Sequence, residues 1–132
     1  MTIERSAVVV TTAGGESRGI QLTEETFDPS GLVITVHGEL DIATAPTLRA
    51  RLDTAIEGGT RRLVIDLSAV SFLDSVALAT IVHAKQLLAE DGRLAIALDP
   101  ASYVMLVFES SGLSQVLDLV ETREQGISLV SG

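Results

Sequence analysis

The sequence predicts an α/β fold, in which a mixed β-sheet of four to five strands opens with an antiparallel hairpin and packs against about four α-helices. Short β-branched runs alternate with longer segments whose apolar residues recur every three or four positions, as in strands joined by crossover helices. The run Leu63–Leu67 is almost continuously apolar, which is typical of a strand buried on both faces. At 132 residues, the chain is long enough for one domain.

The first predicted strands form the hairpin. Ile20 to Phe27 alternates partially, the segment Asp28 to Gly31 has the composition of a turn, and Leu32 to Gly38 is a β-branched strand. Residues 1–19 form an N-terminal extension in which an apolar run precedes a Gly-rich polar segment. We expect this extension to be either flexible or an extra edge strand, and the domain to span residues 20–132.

The first crossover helix is predicted to start at Thr44-Ala45-Pro46, where Thr44 is a plausible N-cap and Pro46 suits a first turn. Its apolar positions are spaced four, three and one residues apart, and Gly58-Gly59 ends it. The strand Leu63–Leu67 follows, and a loop from Ser68 to Ser75 leads to the next helix. Asp74 is predicted to cap that helix, which ends at Asp91-Gly92.

The pattern then repeats towards the C-terminus. Leu94 to Leu98 is the next predicted strand, and Asp99-Pro100 opens a third helix that Gly112 closes. Val116 to Val120 is the last strand. A fourth helix is predicted from Glu121 to Val130, although Gly126 in its middle costs about 1 kcal/mol relative to alanine.

The composition argues against several classes of function. The net charge is −9 and the cations are scattered, so no basic stripe is available for nucleic acid. The absence of cysteine and the isolation of His37 and His83 argue against a metal site, and nothing indicates a cofactor. No apolar run approaches the ~20 residues of a membrane span, and the N-terminus lacks the features of a signal peptide. We therefore expect a cytoplasmic protein with no membrane or nucleic-acid partner.

Polar residues are expected to converge beyond the C-terminal ends of the parallel strands, where helix N-termini gather. One loop runs from His37 through Gly38 to Asp41, and the other from Ser68 to Ser75. If their strands are neighbours, Asp41 and Asp74 approach each other near the Ser75 hydroxyl.

The residues alone leave three interpretations of Ser75. In the first, Asp74 caps the helix and Ser75 merely occupies its first turn. In the second, Ser75 is a nucleophile beside paired carboxylates, but the chain has no G-x-S-x-G elbow and no histidine in the context of a base. In the third, Ser75 is a phosphorylation switch: free amide N–H groups and the helix dipole would accept the phosphate, while Asp74 and Asp41 would sharpen the change of surface potential.

Three segments together resemble the STAS domain family, and within it the bacterial anti-sigma factor antagonists. They are VITVHGELDIATAPTLRARL, RRLVIDLSAVSFLDSVAL and LVFESSGLSQVLDL, in an order and spacing similar to the family's. The resemblance covers roughly Ile20 to Val130. It implies a non-enzymatic protein that binds an anti-sigma factor with serine kinase activity and thereby regulates sigma-factor-dependent transcription.

By position, the resemblance makes Ser75 the phosphoacceptor, with a phosphatase to restore it. It assigns partner binding to Gly38, Asp41, Asp74, Ser75, Val76 and Ala77, in a monomer or weak dimer. The sequence departs from the family pattern after Asp74, where Ser75-Val76-Ala77-Leu78-Ala79 replaces Ser-Ser/Thr-Gly-Leu-Gly. Val76 is larger than serine, and Ala77 adds a methyl group where glycine would admit a partner's backbone. The departure keeps open an alternative, a constitutive STAS scaffold with a non-kinase partner.

Overall fold

The computed structural model describes residues 7–13, 19–27 and 29–132. Within them, a six-stranded sheet has its strands in chain order, with the first three antiparallel and the rest parallel. The strands are β1 Ala7–Ala13, β2 Ile20–Phe27, β3 Gly31–Leu40, β4 Arg62–Leu73, β5 Arg93–Ala97 and β6 Asp118–Val120. The helices are α1 Ala45–Glu57, α2 Ser75–Leu88, α3 Tyr103–Ser110 and α4 Arg123–Ser131.

The predicted α/β class, the antiparallel hairpin and the four helices are confirmed. The sixth strand, β1, pairs with β2 at the edge of the sheet, within the segment for which flexibility and an edge strand were the two expectations. Residues 1–6 and 14–18 of the predicted extension, and Asp28 of the predicted turn, lie outside the described residues.

The sheet is buried on both faces because successive side chains of a strand point to opposite sides. On one face, α1, α2 and α3 cover the larger core, to which Leu63 and Ile65 of β4 contribute. On the other, Ile127 and Val130 of α4 pack against Val64 and its neighbours. The continuous apolar run in β4 is thus explained by burial on both sides.

Gly126 allows α4 to lie close to the sheet. A Cβ atom at this position would come within 2.9 Å of Val64 Cγ1, so a larger residue would force the helix outward. A capping box offsets the poor helix propensity of glycine: Thr122 Oγ1 accepts from Gln125 N–H at 3.1 Å, and Gln125 Oε1 accepts from Thr122 N–H at 3.2 Å. The helix therefore starts at Arg123 rather than at Glu121.

Four further predicted boundaries were wrong. Strands β3 and β4 run on to Leu40 and Leu73, so that much of the two predicted loops is paired backbone. Helix α3 begins at Tyr103, because Ser102 rather than Asp99 caps it: Ser102 Oγ accepts from Met105 N–H at 3.1 Å. Strand β6 begins at Asp118, two residues later than predicted.

Candidate functional site

The extended strands bring the two predicted loops together at one edge of the sheet. Leu40 and Leu73 are paired across β3 and β4, and Asp74 N–H donates to the Leu40 carbonyl at 3.2 Å. Asp41 and Asp74 therefore leave neighbouring strands side by side, each at the entrance to a helix. We call this region the C-terminal edge of the sheet.

Asp74 caps α2, as predicted. Its Oδ1 atom accepts from Val76 N–H at 3.0 Å and from Ala77 N–H at 3.1 Å. An N-cap of this kind typically stabilises a protein by about 1 kcal/mol. The expectation that free amides at this helix start would receive a phosphate needs correction, because Asp74 already occupies two of them.

The Asp41 carboxylate likewise accepts hydrogen bonds from two backbone amides, in the turn that precedes α1. Its Oδ1 atom accepts from Ala43 N–H at 2.9 Å and from Thr44 N–H at 3.1 Å. The Thr44 hydroxyl donates to the Glu39 carbonyl at 2.7 Å and accepts from Asp41 N–H at 3.0 Å. Thr44 does occupy the N-cap position, but its side chain caps no amide of the first turn, so the predicted capping by Thr44 was wrong.

Ser75 is the first residue of α2 and is exposed. Its hydroxyl has no hydrogen-bond partner within the described part of the chain. Neither histidine is placed as its base: His83 Nε2 lies 3.2 Å from Asp53 Oδ1, and His37 lies exposed on β3. The side chain is therefore available to an outside enzyme, while the arrangement lacks the hydrogen-bonded base that a serine nucleophile requires.

The two residues after Ser75 face opposite environments. Val76 is exposed to solvent, whereas the Ala77 side chain is fully buried in the core. Of these two residues, the one that a partner would meet at the surface is therefore Val76.

Gly38 has a structural reason for being glycine. Its φ is +115°, a backbone conformation that L side chains rarely adopt, and a Cβ atom there would lie 2.4 Å from the Gly19 carbonyl oxygen. The residue is half-buried in β3, where it pairs with β2 on one side and β4 on the other. This packing accounts for Gly38 without any partner.

The segments at the C-terminal edge, including the one that contains Ser75, carry exposed apolar side chains that were not predicted from the sequence. Five of the seven large apolar side chains that are exposed in the described residues belong to segments at the C-terminal edge, with exposed fractions from 37% to 73%. They define the apolar patch: Ile42, Phe72, Val76, Tyr103 and Leu106. The rings of Phe72 and Tyr103 stack, with centroids 6.1 Å apart and planes inclined by 11°. Apolar patches of this kind on a protein surface are typical of interaction sites.

The charges around the apolar patch are of one sign. The segments 39–47, 70–79 and 99–106 that form this edge contain the carboxylates of Glu39, Asp41, Asp74 and Asp99, and no lysine or arginine. A phosphate on Ser75 would thus meet no cation from these segments. The edge is suited to an apolar partner surface bordered by positive charge.

The described residues contain no group of three or more side chains that could hold a metal ion. Among the helices of the described part, none is long and apolar enough to cross a membrane.

Curated relatives cover most of the chain. BtrV of Bordetella bronchiseptica is 32% identical over 106 residues, which is 80% of this chain and 90% of BtrV. The anti-sigma-B factor antagonist of Staphylococcus aureus is 30% identical over 91 residues, covering 69% of this chain and 84% of its own length.

Solved structures resemble the fold. An anti-sigma factor antagonist from Mycobacterium paratuberculosis superposes with a TM-score of 0.78 at 29% identity, covering 86% of this chain and 95% of that one. The Bacillus cell fate determinant SpoIIAA in its phosphorylated form gives a TM-score of 0.62 at 28% identity, with 83% and 98% covered. The family model of the STAS domain matches residues 22–126, and the chain belongs to the STAS domain family.

Proposed function

We propose that the protein is an anti-sigma factor antagonist that binds a serine-kinase-type anti-sigma factor and is switched by phosphorylation of Ser75. It would act by binding and not by catalysis, as a cytoplasmic monomer or weak dimer that regulates sigma-factor-dependent transcription. A phosphatase would reverse the modification. The observation that carries the proposal is the exposed, unbonded Ser75 hydroxyl at the start of α2, within the apolar patch.

The surroundings of Ser75 explain how one phosphate would release a partner. The modification adds about −1.5 to −2 charges. Because Asp74 already binds the amides of Val76 and Ala77, the phosphate does not replace a missing cap. It stands instead on an apolar surface that a bound partner would have to desolvate, beside carboxylates of the same sign.

The names of the relatives support the same activity. The S. aureus relative is named an anti-sigma-B factor antagonist, and the M. paratuberculosis structure is that of an anti-sigma factor antagonist. The structure of SpoIIAA in a phosphorylated form is that of a similarly folded protein that carries the modification.

A second candidate function is favoured by one observation. The exposed Val76 places a β-branched side chain where the family pattern has a small hydroxyl residue. A constitutive scaffold that binds a non-kinase partner through the apolar patch would have the same surface without the switch.

The test uses the purified chain, its cognate anti-sigma factor and Mg-ATP, with mass spectrometry of the product and a binding titration of both forms. We expect one phosphate, located on Ser75, and at least a tenfold weaker complex, which corresponds to about 1.4 kcal/mol. Ser75→Ala should abolish the modification, whereas Ser71→Ala, at a neighbouring exposed serine, should leave it unchanged. Binding without phosphorylation, unaffected by Ser75→Glu, would favour the scaffold.

A further inference from the structure

Two adjoining cavities form an open trough beside the C-terminal half of α2. The larger has a volume of about 370 Å³ and is lined mainly by apolar side chains, among them Val82, Leu113 and Val116. The smaller, of about 210 Å³, contains Lys85 and Arg93 in its wall. Lys85 lines both cavities, so the trough has an apolar arm and a cationic arm that meet at one side chain.

The two cations of the trough are unusual in this acidic chain. Among the lysine and arginine residues of the described part, Lys85 and Arg93 are the two whose side chains make neither an ion pair nor a hydrogen bond. Asp118 lines the same cavity but forms no ion pair with either. The cationic arm therefore has two positive charges against one carboxylate, in a chain whose net charge is −9.

The wall between the arms contains a strained residue. Ala89 has φ +50° and ψ −139°, a conformation that residues other than glycine rarely adopt. It is the C-cap residue that follows α2, and it lines both cavities. Backbone strain of this kind persists only where the surroundings impose it, and it is found preferentially at ligand sites.

The dipole of α2 explains the presence of Lys85 but not the other features of the trough. A lysine in the last turn of a helix complements the negative end of the helix dipole, which accounts for Lys85. It does not account for Arg93, which begins β5, nor for Val116, which is 58% exposed in the apolar arm. The volume of the larger cavity, about 370 Å³, lies at the lower end of the range for small-molecule sites.

The geometry points to a binding site for a small organic anion with an apolar tail, its head between Lys85 and Arg93 and its tail along Val82, Leu113 and Val116. The site is separate from the Ser75 surface, because Lys85 follows Ser75 by ten helical residues, or about 15 Å. It goes beyond the proposed function, and it does not depend on a partner.

The test is a titration of the full chain by ¹H–¹⁵N NMR with octanoate and, in parallel, octyl phosphate, which distinguishes a carboxylate head from a phosphate head. We expect saturable shifts at Val82, Leu113 and Val116 with at least one of them. Acetate, which lacks the tail, and octylammonium, which reverses the charge, should bind about tenfold more weakly or not at all.

Variants locate the site. Val116→Asp and the double change of Lys85→Gln with Arg93→Gln should each weaken binding by about tenfold, whereas Asp118→Asn should strengthen it. Leu87→Asp changes an exposed apolar residue of α2 outside the trough and should leave binding unchanged. Absence of saturable shifts, equal binding of octylammonium, or insensitivity to the double variant would overturn the assignment.

Discussion

Asp74 offers the sharpest test of how the C-terminal edge is built. Asp74→Ala removes two hydrogen bonds, at 3.0 and 3.1 Å, and leaves the amides of Val76 and Ala77 without their acceptor. Loss of an N-cap costs about 0.5–2 kcal/mol, and loss of a carboxylate at a helix N-terminus accounts for about 0.3–1 kcal/mol of that. We therefore expect the free energy of unfolding to fall by about 1.5 kcal/mol. At about 2.1 cal/mol/K per residue over 132 residues, this lowers Tm by about 5 °C.

Asp74→Asn separates the two contributions, because asparagine keeps the cap and removes the charge. We expect Asp74→Asn to lower the free energy of unfolding by less than about 1 kcal/mol, measured by urea unfolding followed by far-UV circular dichroism. Asp99→Ala, at a carboxylate that precedes α3 without capping it, is the matched control and should change stability less. If Asp74→Ala is no more destabilising than this control, Asp74 is not the cap that the structure describes.

Three further changes test the packing and the partner surface. Tyr103→Ser should weaken partner binding by about tenfold in a direct titration, because it removes half of the stacked pair, whereas Leu87→Ser, outside the apolar patch, should have little effect. Gly126→Ala should lower the free energy of unfolding, measured in urea, by about 1 kcal/mol, because overpacking costs about 1–3 kcal/mol and the better helix propensity of alanine recovers about 1 kcal/mol of that. A more stable variant would refute the close approach of α4 to the sheet. Glu24→Gln should lower the free energy of unfolding by about 1 kcal/mol, because Glu24 accepts two hydrogen bonds from Arg51 and thereby raises the pKa of that guanidinium. A variant as stable as the parent protein in urea would contradict this role.

The fold could be predicted because its signals are local. Apolar periodicity, turn residues and the acidic cap at Asp74 each act within a few residues of the chain. The ends of β3 and β4 could not be predicted in the same way. Their pairing shifts register between Thr35 and His37 and again between Gly38 and Glu39, and each irregularity interrupts the alternation by which a strand is identified.

The apolar patch escaped prediction for a different reason. Phe72 lies next to the buried Leu73 in β4, and Tyr103 precedes the buried Val104, so the sequence places each aromatic residue within an apolar run. Which member of such a run faces solvent depends on the packing of three different elements. Ala77 belongs to the segment that the family resemblance assigns to partner binding, although the helix turns its side chain into the core.

The charge inventory of the edge determines what a phosphate on Ser75 would act upon. A phosphate orders a segment when it gains an arginine or a set of free amides. Here the flanking segments contain no lysine or arginine, and Asp74 already holds the amides of Val76 and Ala77. The modification therefore has little to reorganise within the domain, since its own helix is capped and its neighbours carry the same sign of charge. Under the proposed function, its cost would fall instead on the complex, where an apolar surface would have to be desolvated around a dianion. An antagonist built in this way would change its affinity without changing its fold.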